Sequence, residues 1–544
     1  MRATSLVFLL GVGLPLGLAA CGDSTTVIVT PSSSAAGGGE VTTSAQGGAG
    51  GVMSAVTGSG GSTQTQGGET ATDVASSAEA SSAEASSAMS SSAMSSSAMS
   101  SSAMSSSAMS SSAMSSSASG GGKMCSSVAD CGSASCGWSC TNNVCSLSAK
   151  PKFTACYADG GTGASCDGAG SCKVWVPIAT VNAPLARYNH SAIWTGSKMI
   201  VFGGYTKAAI TDTGHSYDPV TDTWTAISSV NNPGPRHNHE ALWTGTKMIV
   251  WGGYGVGAYA GKGGIYDPAT DTWTAMATAG QPSLRQAQAM VYTGSKIIVW
   301  GGRGANGAVN TGGVYDIATN TWSAMAASPL GARFNFSYGW QKPTVAKPNG
   351  FMFVWGGTDN LDWFKNGALY DPVANSWLSV NMNASAGASP SMLLESATAF
   401  PQNPTQGSGF YLFGGWDGGN YSDTLFFWDT FPNALDGFWY KLKAGDPKAP
   451  SARARYTGFV LDAGIFLWGG CEGAGCGDYL GDGGVWRPGA NGGTWSAFPT
   501  DASLAARSDT AGVWTGKTTS EIIIWGGYIN GPVGTGARRA VSPK

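Results

Sequence analysis

Apolar residues in the C-terminal part of the chain come in short unbroken runs, and each run stops at a pair of glycines. The runs MIVF, MIVW, IIVW, MFVW, FYLF, IFLW and IIIW end at Gly203-Gly204, Gly252-Gly253, Gly301-Gly302, Gly356-Gly357, Gly414-Gly415, Gly469-Gly470 and Gly526-Gly527. A β-rich run this short, with no polar alternation, predicts a strand buried on both faces. The glycines permit positive φ and a close approach by a neighbouring backbone. Fourteen residues after the first glycine, five copies carry an aromatic followed by Asp: Tyr217, Tyr266, Tyr315, Tyr370 and Trp428. Asp-Pro, as in Asp218-Pro219, fits a tight hairpin. Beyond it stand Trp224, Trp273, Trp322 and Trp377, with Trp439 and Trp495 after longer turns. Each unit thus offers four short strands, such as 191–195, 199–202, 214–217 and 223–227.

The unit Arg187–Trp224 recurs 49 residues later as Arg236–Trp273, then as Arg285–Trp322, with looser copies following. Four-stranded sheets repeated at this spacing predict an all-β fold, a β-propeller in which neighbouring sheets cover each other's faces. The shared Gly-Gly, Tyr and Trp resemble the Kelch family, over residues 173–544. Seven Gly-Gly pairs match seven Trp only if Trp175, in Lys173-Val174-Trp175-Val176, supplies the last one. The expectation is a seven-bladed Kelch-type propeller closed three-plus-one by this N-terminal strand, which leaves no free sheet edge.

Composition agrees with short strands and tight turns: Gly is 82 of 544 residues and charged residues are 11%. A formal net charge of -3 without a Lys/Arg run gives no footprint for nucleic acid. Arg2 and the apolar stretch Leu6 to Leu18 read as a signal peptide (1–21), too short for a stable span. Leu18-Ala19-Ala20-Cys21 resembles the lipobox of bacterial lipoproteins, implying lipidation of Cys21 and a membrane anchor at ~0.8 kcal/mol per buried methylene. Gly22, where an inner-membrane retention signal has Asp, favours the outer membrane or cell surface of a bacterial envelope; Asp23 stands one place further on. Residues 22–122 are Ser, Ala, Gly and Thr with SSAMS repeats, and have too little to bury to offset their ordering entropy. They predict a disordered tether with a reach of roughly 55 Å.

Residues 123–172 hold Cys125, Cys131, Cys136, Cys140, Cys145, Cys156, Cys166 and Cys172 among small polar residues. An even count in an oxidising compartment predicts disulfides among these eight, in any of about a hundred pairings. Zinc is the competing reading, against which no C-x2-C pair occurs. The spacing resembles small secreted modules of the EGF or dickkopf kind, read here as stalk or spacer. Cys471 and Cys476, in a CEGAGC loop, predict one further disulfide.

Candidate chemistry is sparse. Arg187, Arg236, Arg285, Arg333, Arg453 and Arg507 lead the first strand of six copies, with Ser391 in the remaining one. Guanidinium forks there can grip the carboxylates of a ligand, as some Kelch proteins do, or bind carbonyls of their own sheet. His190 and His239 share one repeat position, occupied elsewhere by Gln288 and Phe336, and read as repeat side chains. His215 and His237 have no partner at metal-ligand spacing. Glu240 and Glu395 share another position and are candidates for an acid/base pair. Resemblance in architecture to galactose oxidase implies no copper here, because the His and Cys are misplaced for such a site. The sialic-acid mutarotases work without metal, but no residue set matches one. Trp416, Asp417 and Tyr421, with Trp363 and Phe364, can stack on sugars or pack over an edge. The expected function is a non-enzymatic binding module for a protein or glycan, with no cofactor, metal or catalytic residue assigned. The alternatives are a Kelch-type carbohydrate-active enzyme, mutarotase-like or oxidase-like, and a structural surface-coat protein.

Overall fold

A computed structural model describes residues 172–541, apart from 344–347, 381–396, 400–408, 417–418, 430–437, 443–445, 462–463, 474, 490–491 and 517–519, together with pieces of the stretch 136–166. The signal peptide, Cys21, the tether, Ser391, Glu395 and Asp417 lie outside the described residues.

The domain is an all-β propeller of antiparallel four-stranded sheets, and seven such sheets stand among the described residues. The first consists of Ser191–Trp194, Met199–Phe202, Gly214–Asp218 and Thr223–Ala226, paired in chain order. The next five repeat that order. In the seventh, Ala511–Trp514, Glu521–Trp525 and Gly536–Ala540 pair in sequence, and the fourth strand is Val176–Pro177, which pairs with Ala537 and Arg538. The first strand of each sheet neighbours the first strand of the next, and that of the seventh neighbours that of the first.

The unalternating second strands have a direct physical cause. Met199, Ile200, Val201 and Phe202 are all buried. Met199 and Val201 pack with Val513, Ile523 and Trp525 of the seventh sheet, whereas Ile200 and Phe202 pack with Met248 and Val250 of the second. Both faces of the strand are core, so both must be apolar.

The Tyr and Trp of each repeat form one joint. Tyr217 pairs with Trp224 across two strands, with ring centroids 5.0 Å apart. The Tyr217 hydroxyl donates to Asp222 Oδ1 at 2.7 Å, and Asp222, at φ 54°, turns the hairpin between them. Asp222 Oδ1 also accepts the Ala179 N–H at 2.9 Å, while the Trp224 indole N–H donates to the Ala179 carbonyl at 2.8 Å. Trp273, Trp322 and Trp377 bond Ser228, Ala277 and Ala326 in the same way. Each Trp therefore fastens its sheet to the segment leaving the preceding sheet, and Ala179, leaving the Val176–Pro177 strand, occupies that place for the first.

The cysteine module was expected as a spacer, and its described part is docked instead. Cys136 and Cys166 are disulfide-bonded with Cα atoms 5.4 Å apart, and Cys145 and Cys172 are also in disulfides. Lys152 Nζ lies 2.7 Å from Asp222 Oδ2, and the Phe153 ring packs at the seam between the seventh and first sheets, with the Arg538 guanidinium 3.8 Å from its centroid. Cys172–Lys173 is the last strand of the module's sheet and runs directly into the Trp175 segment. A chain with so small a core of its own gains stability by resting on a larger one.

Candidate ligand-binding mouth

The second strand of six of the sheets leaves at one end of the propeller, where the leading Arg of the next sheet enters. Gly203 (φ 67°) and Gly204 (φ 100°) show why glycine is needed there: a Cβ would come within 2.7 Å of the Arg236 carbonyl at the first and of His190 Cβ at the second. The close approach is used, because the Gly204 N–H donates to the Arg236 carbonyl at 2.8 Å. Gly253 reaches Arg285, Gly302 Arg333, Gly415 Arg453, Gly470 Arg507 and Gly527 Arg187 in the same way, at 2.8 to 2.9 Å.

The arginine side chains turn inward to their own sheets. Arg285 donates from Nε to the Ser283 carbonyl (2.6 Å), from Nη1 to the carbonyls of Gly301 (3.1 Å) and Thr311 (2.6 Å), and from Nη2 to the hydroxyls of Ser283 and Thr311. Arg187, Arg236, Arg333, Arg453 and Arg507 likewise clip the carbonyl of the first glycine, at Gly203, Gly252, Gly356, Gly469 and Gly526. All six are buried, and burial lowers Arg285 to about 10, still protonated at neutral pH. Arg and Gly-Gly are thus one device, with the guanidinium holding the strand exit of its own sheet and the Arg carbonyl holding the glycine of the preceding one. A ligand carboxylate would have to displace these bonds, so of the two readings open for the arginines the geometry supports the structural one.

His190 and His239 are each buried at a seam. Burial first, then Arg187, lowers His190 to about 3, and burial and Arg236 hold His239 well below the usual range. His239 Nε2 lies 2.9 Å from Ser191 Oγ, and His190 packs edge-on to Trp525 at 5.3 Å. Both are neutral packing groups. His215 is lowered to about 4 by burial and then by Arg187. Among the described residues no cluster of three His, Cys, Asp or Glu could hold a metal. Glu240, on the first strand of the second sheet, bonds the Tyr338 hydroxyl of the fourth, and burial pushes its carboxyl up to about 7. Phe364 lies over the Arg333 guanidinium at 4.1 Å, and Trp363 packs edge-on against Trp416 at 4.8 Å.

The residues that dominate this mouth stand outside the Gly-Gly, Tyr and Trp pattern of the repeat. In the six sheets led by Arg, the residue after Gly-Gly pairs with the residue after that Arg, as Tyr205 with Tyr188, Tyr254 with His237 and Tyr528 with Ser508. Side chains at these positions, joined by Tyr479, which pairs with Cys471 across its hairpin, form an aromatic arc. Tyr479 meets Tyr528 at 6.1 Å, Tyr528 meets Tyr188 at 5.0 Å and Tyr188 meets Tyr205 at 5.6 Å. Tyr205 meets His237, and His237 meets Tyr254, both at 5.9 Å. The arc crosses the sixth, seventh, first and second sheets. Two residues after each leading Arg, Asn189, Asn238, Ala287, Asn335, Arg455 and Asp509 occupy one repeat position, all at φ between 51° and 54°. A usable signal was in the sequence: an aromatic follows Gly-Gly at Tyr205, Tyr254, Trp416 and Tyr528.

Two overlapping segments, 171–337 and 281–470, match the family model described as the KLHDC2/KLHL20/DRC7 Kelch-repeats domain, and together they span more than half of the chain. The chain belongs to the Kelch-repeat family. Comparison with curated proteins finds no match. Kelch repeats mark a protein-interaction module, and in this Kelch domain the mouth described above is where side chains of several repeats converge.

The expected Cys471–Cys476 pair is bonded, with Cα atoms 5.1 Å apart. It closes the hairpin of Cys471–Glu472 and Asp478–Tyr479, in which Cys471 pairs with Tyr479. The disulfide of this Kelch repeat therefore braces one ring of the aromatic arc.

Proposed function

We propose that this chain is a lipid-anchored, extracytoplasmic binding module of a bacterial envelope, on the outer membrane or cell surface. In this reading Cys21 carries the lipid, residues 22–122 form the tether, 123–172 the cysteine module, and 173–544 a seven-bladed Kelch propeller closed three-plus-one. The ligand, a protein or a glycan, is taken at the mouth bearing the aromatic arc. The lipobox-like Leu18-Ala19-Ala20-Cys21 supports the anchor. Ring closure is supported by the pairing of Val176 with Arg538 and by the Gly527 N–H donating to the Arg187 carbonyl at 2.9 Å. The observation that carries the binding role is the arc itself: six rings from four sheets at one end of the propeller, with Tyr205 37% exposed. The test is display of the full chain on cells labelled with a clickable palmitate, followed by glycan and peptide arrays. Labelling must vanish in Cys21→Ser, and captured ligands must be released by Tyr528→Ala; retention of either signal sinks that half of the proposal.

A second reading, a carbohydrate-active enzyme, is favoured by Glu240, whose carboxyl at about 7 suits proton transfer at neutral pH. Sugar turnover or anomer exchange that is lost in Glu240→Gln would establish it.

A further inference from the structure

We propose that the sector of the mouth where the sixth, seventh and first sheets meet is a subsite for a neutral carbohydrate, built from Tyr479, Tyr528 and Tyr188 with Arg455, Asp509 and Asn189. The inference rests on the reading of the mouth as the binding site and names the chemistry of its ligand. The three tyrosines are half-buried, set edge to face or tilted in sequence, and belong to three different sheets. Tyrosine suits a surface that is apolar in its ring and polar at its tip. A sugar has the matching character, with C–H groups on one face and hydroxyls around its rim.

Beside the rings lies a neutralised polar pair. Arg455 Nη1 is 3.5 Å from Asp509 Oδ2, and the Ser508 hydroxyl donates to the same oxygen at 2.6 Å. The Asp509 N–H also donates to the Arg455 carbonyl at 3.2 Å, which fixes the two backbones to each other. Tyr479 senses both groups: burial raises its hydroxyl and a backbone hydrogen bond with Asn530 opposes the rise, and beside these Tyr528 and Asp509 raise it while Arg455 lowers it. Planar groups with paired donors or acceptors match the spacing of vicinal hydroxyls.

Arg455 and Asp509 stand at φ 53° and 52°, at the repeat position held by Asn189, Asn238, Ala287 and Asn335 in other sheets, so the left-handed turn belongs to the repeat and what distinguishes this sector is its charged pair. The charge balance excludes the competing ligand of the same site. An acidic peptide wants free cations, but Arg187, Arg453 and Arg507 are buried on carbonyls and Arg455 is matched by Asp509.

The test applies the full chain, in detergent, to arrays of neutral gluco-, manno-, galacto- and xylo-oligosaccharides beside sialylated glycans and acidic peptides. Binding to at least one neutral series is expected, reduced more than tenfold in Tyr528→Ala and in the isosteric Asp509→Asn, and unchanged in Lys247→Ala at the opposite end. Melting curves of each variant separate lost binding from lost folding, and Asp509→Asn serves if Tyr528→Ala fails to fold. Absence of any neutral glycan binding overturns the proposal, as does binding that both variants retain. Peptide binding lost in Tyr528→Ala overturns the carbohydrate while leaving the mouth as the site. Binding of any class indifferent to both variants removes the mouth as well.

Discussion

Arg285 makes five hydrogen bonds in a place water does not reach, and three of its acceptors are the main-chain carbonyls of Ser283, Gly301 and Thr311. Lysine has no fork and cannot join Ser283, Gly301 and Thr311 at once. Arg285→Lys and Arg285→Ala should therefore each destabilise the domain by about 3 kcal/mol or more in chemical denaturation. A loss under 1 kcal/mol, combined with lost ligand binding, would return the arginines to the ligand. Glu240 supplies the opposite kind of residue. Its folded-state value of about 7 lies above the ordinary 4.5, so its protonated form favours folding. That contribution is complete below pH 4.5 and is lost as pH rises through 7. Glu240→Gln should match the wild type near pH 4 and exceed it at pH 8, by on the order of 1–3 kcal/mol. Equal melting temperatures at pH 8 would show that the carboxyl is not penalised there.

At the scale of elements, the strand exits and hairpins were legible because each rests on a local property. A doubly covered strand needs four apolar residues in a row, and Tyr217, Asp218 and Trp224 are close enough along the chain to announce one turn, although the part of Asp222 in it shows only in the fold. Trp273→Ala should cost ~3–5 kcal/mol, since the indole is 5% exposed and also holds the Ser228 carbonyl at 2.8 Å. Tyr266→Phe, which removes only the hydroxyl that donates to Asp271, should cost about 1 kcal/mol in the same urea series. Reversal of that order would mean that the hydroxyl, not the packing, secures the joint. The role of Arg was not legible. Its acceptors come from three segments, and only the folded sheet brings Gly301 and Thr311 to Arg285. The aromatic arc was hidden for a similar reason: Tyr528 meets Tyr188 at 5.0 Å across almost the whole repeat domain. Pattern within a repeat says which face a residue takes, but contacts between the first and last repeats depend on how the two ends of the repeat domain meet.

For the whole molecule, the seam between the seventh and first sheets concentrates what the other seams have and adds more. Val176 and Pro177 supply a strand, Ala179 supplies the carbonyl for Trp224, and Trp175, at the neighbouring seam of the sixth and seventh sheets, is fully buried among Phe466, Trp468 and Ile524. Lys152 and Phe153 then brace Asp222 and Arg538 from outside. Two truncations separate these contributions. A chain beginning at Lys173 keeps the strand and loses the cysteine module, and with it a half-exposed ion pair, one ring contact and the packing of Gly163–Cys166 on Gly536–Ala540. Exposed pairs contribute little, so the expected loss is about 1–3 kcal/mol. A chain beginning at Ala183 also loses Trp175, Val176 and Ile178, all buried, and leaves the Gly536–Ala540 edge unpaired. Its further loss should be on the order of 5 kcal/mol or more, with a tendency to associate through the open edge. Light scattering and urea denaturation of the two chains decide the matter. Equal stability would mean that the N-terminal strand lies on the ring without closing it, and the count of blades would have to be made from the C-terminal strands alone.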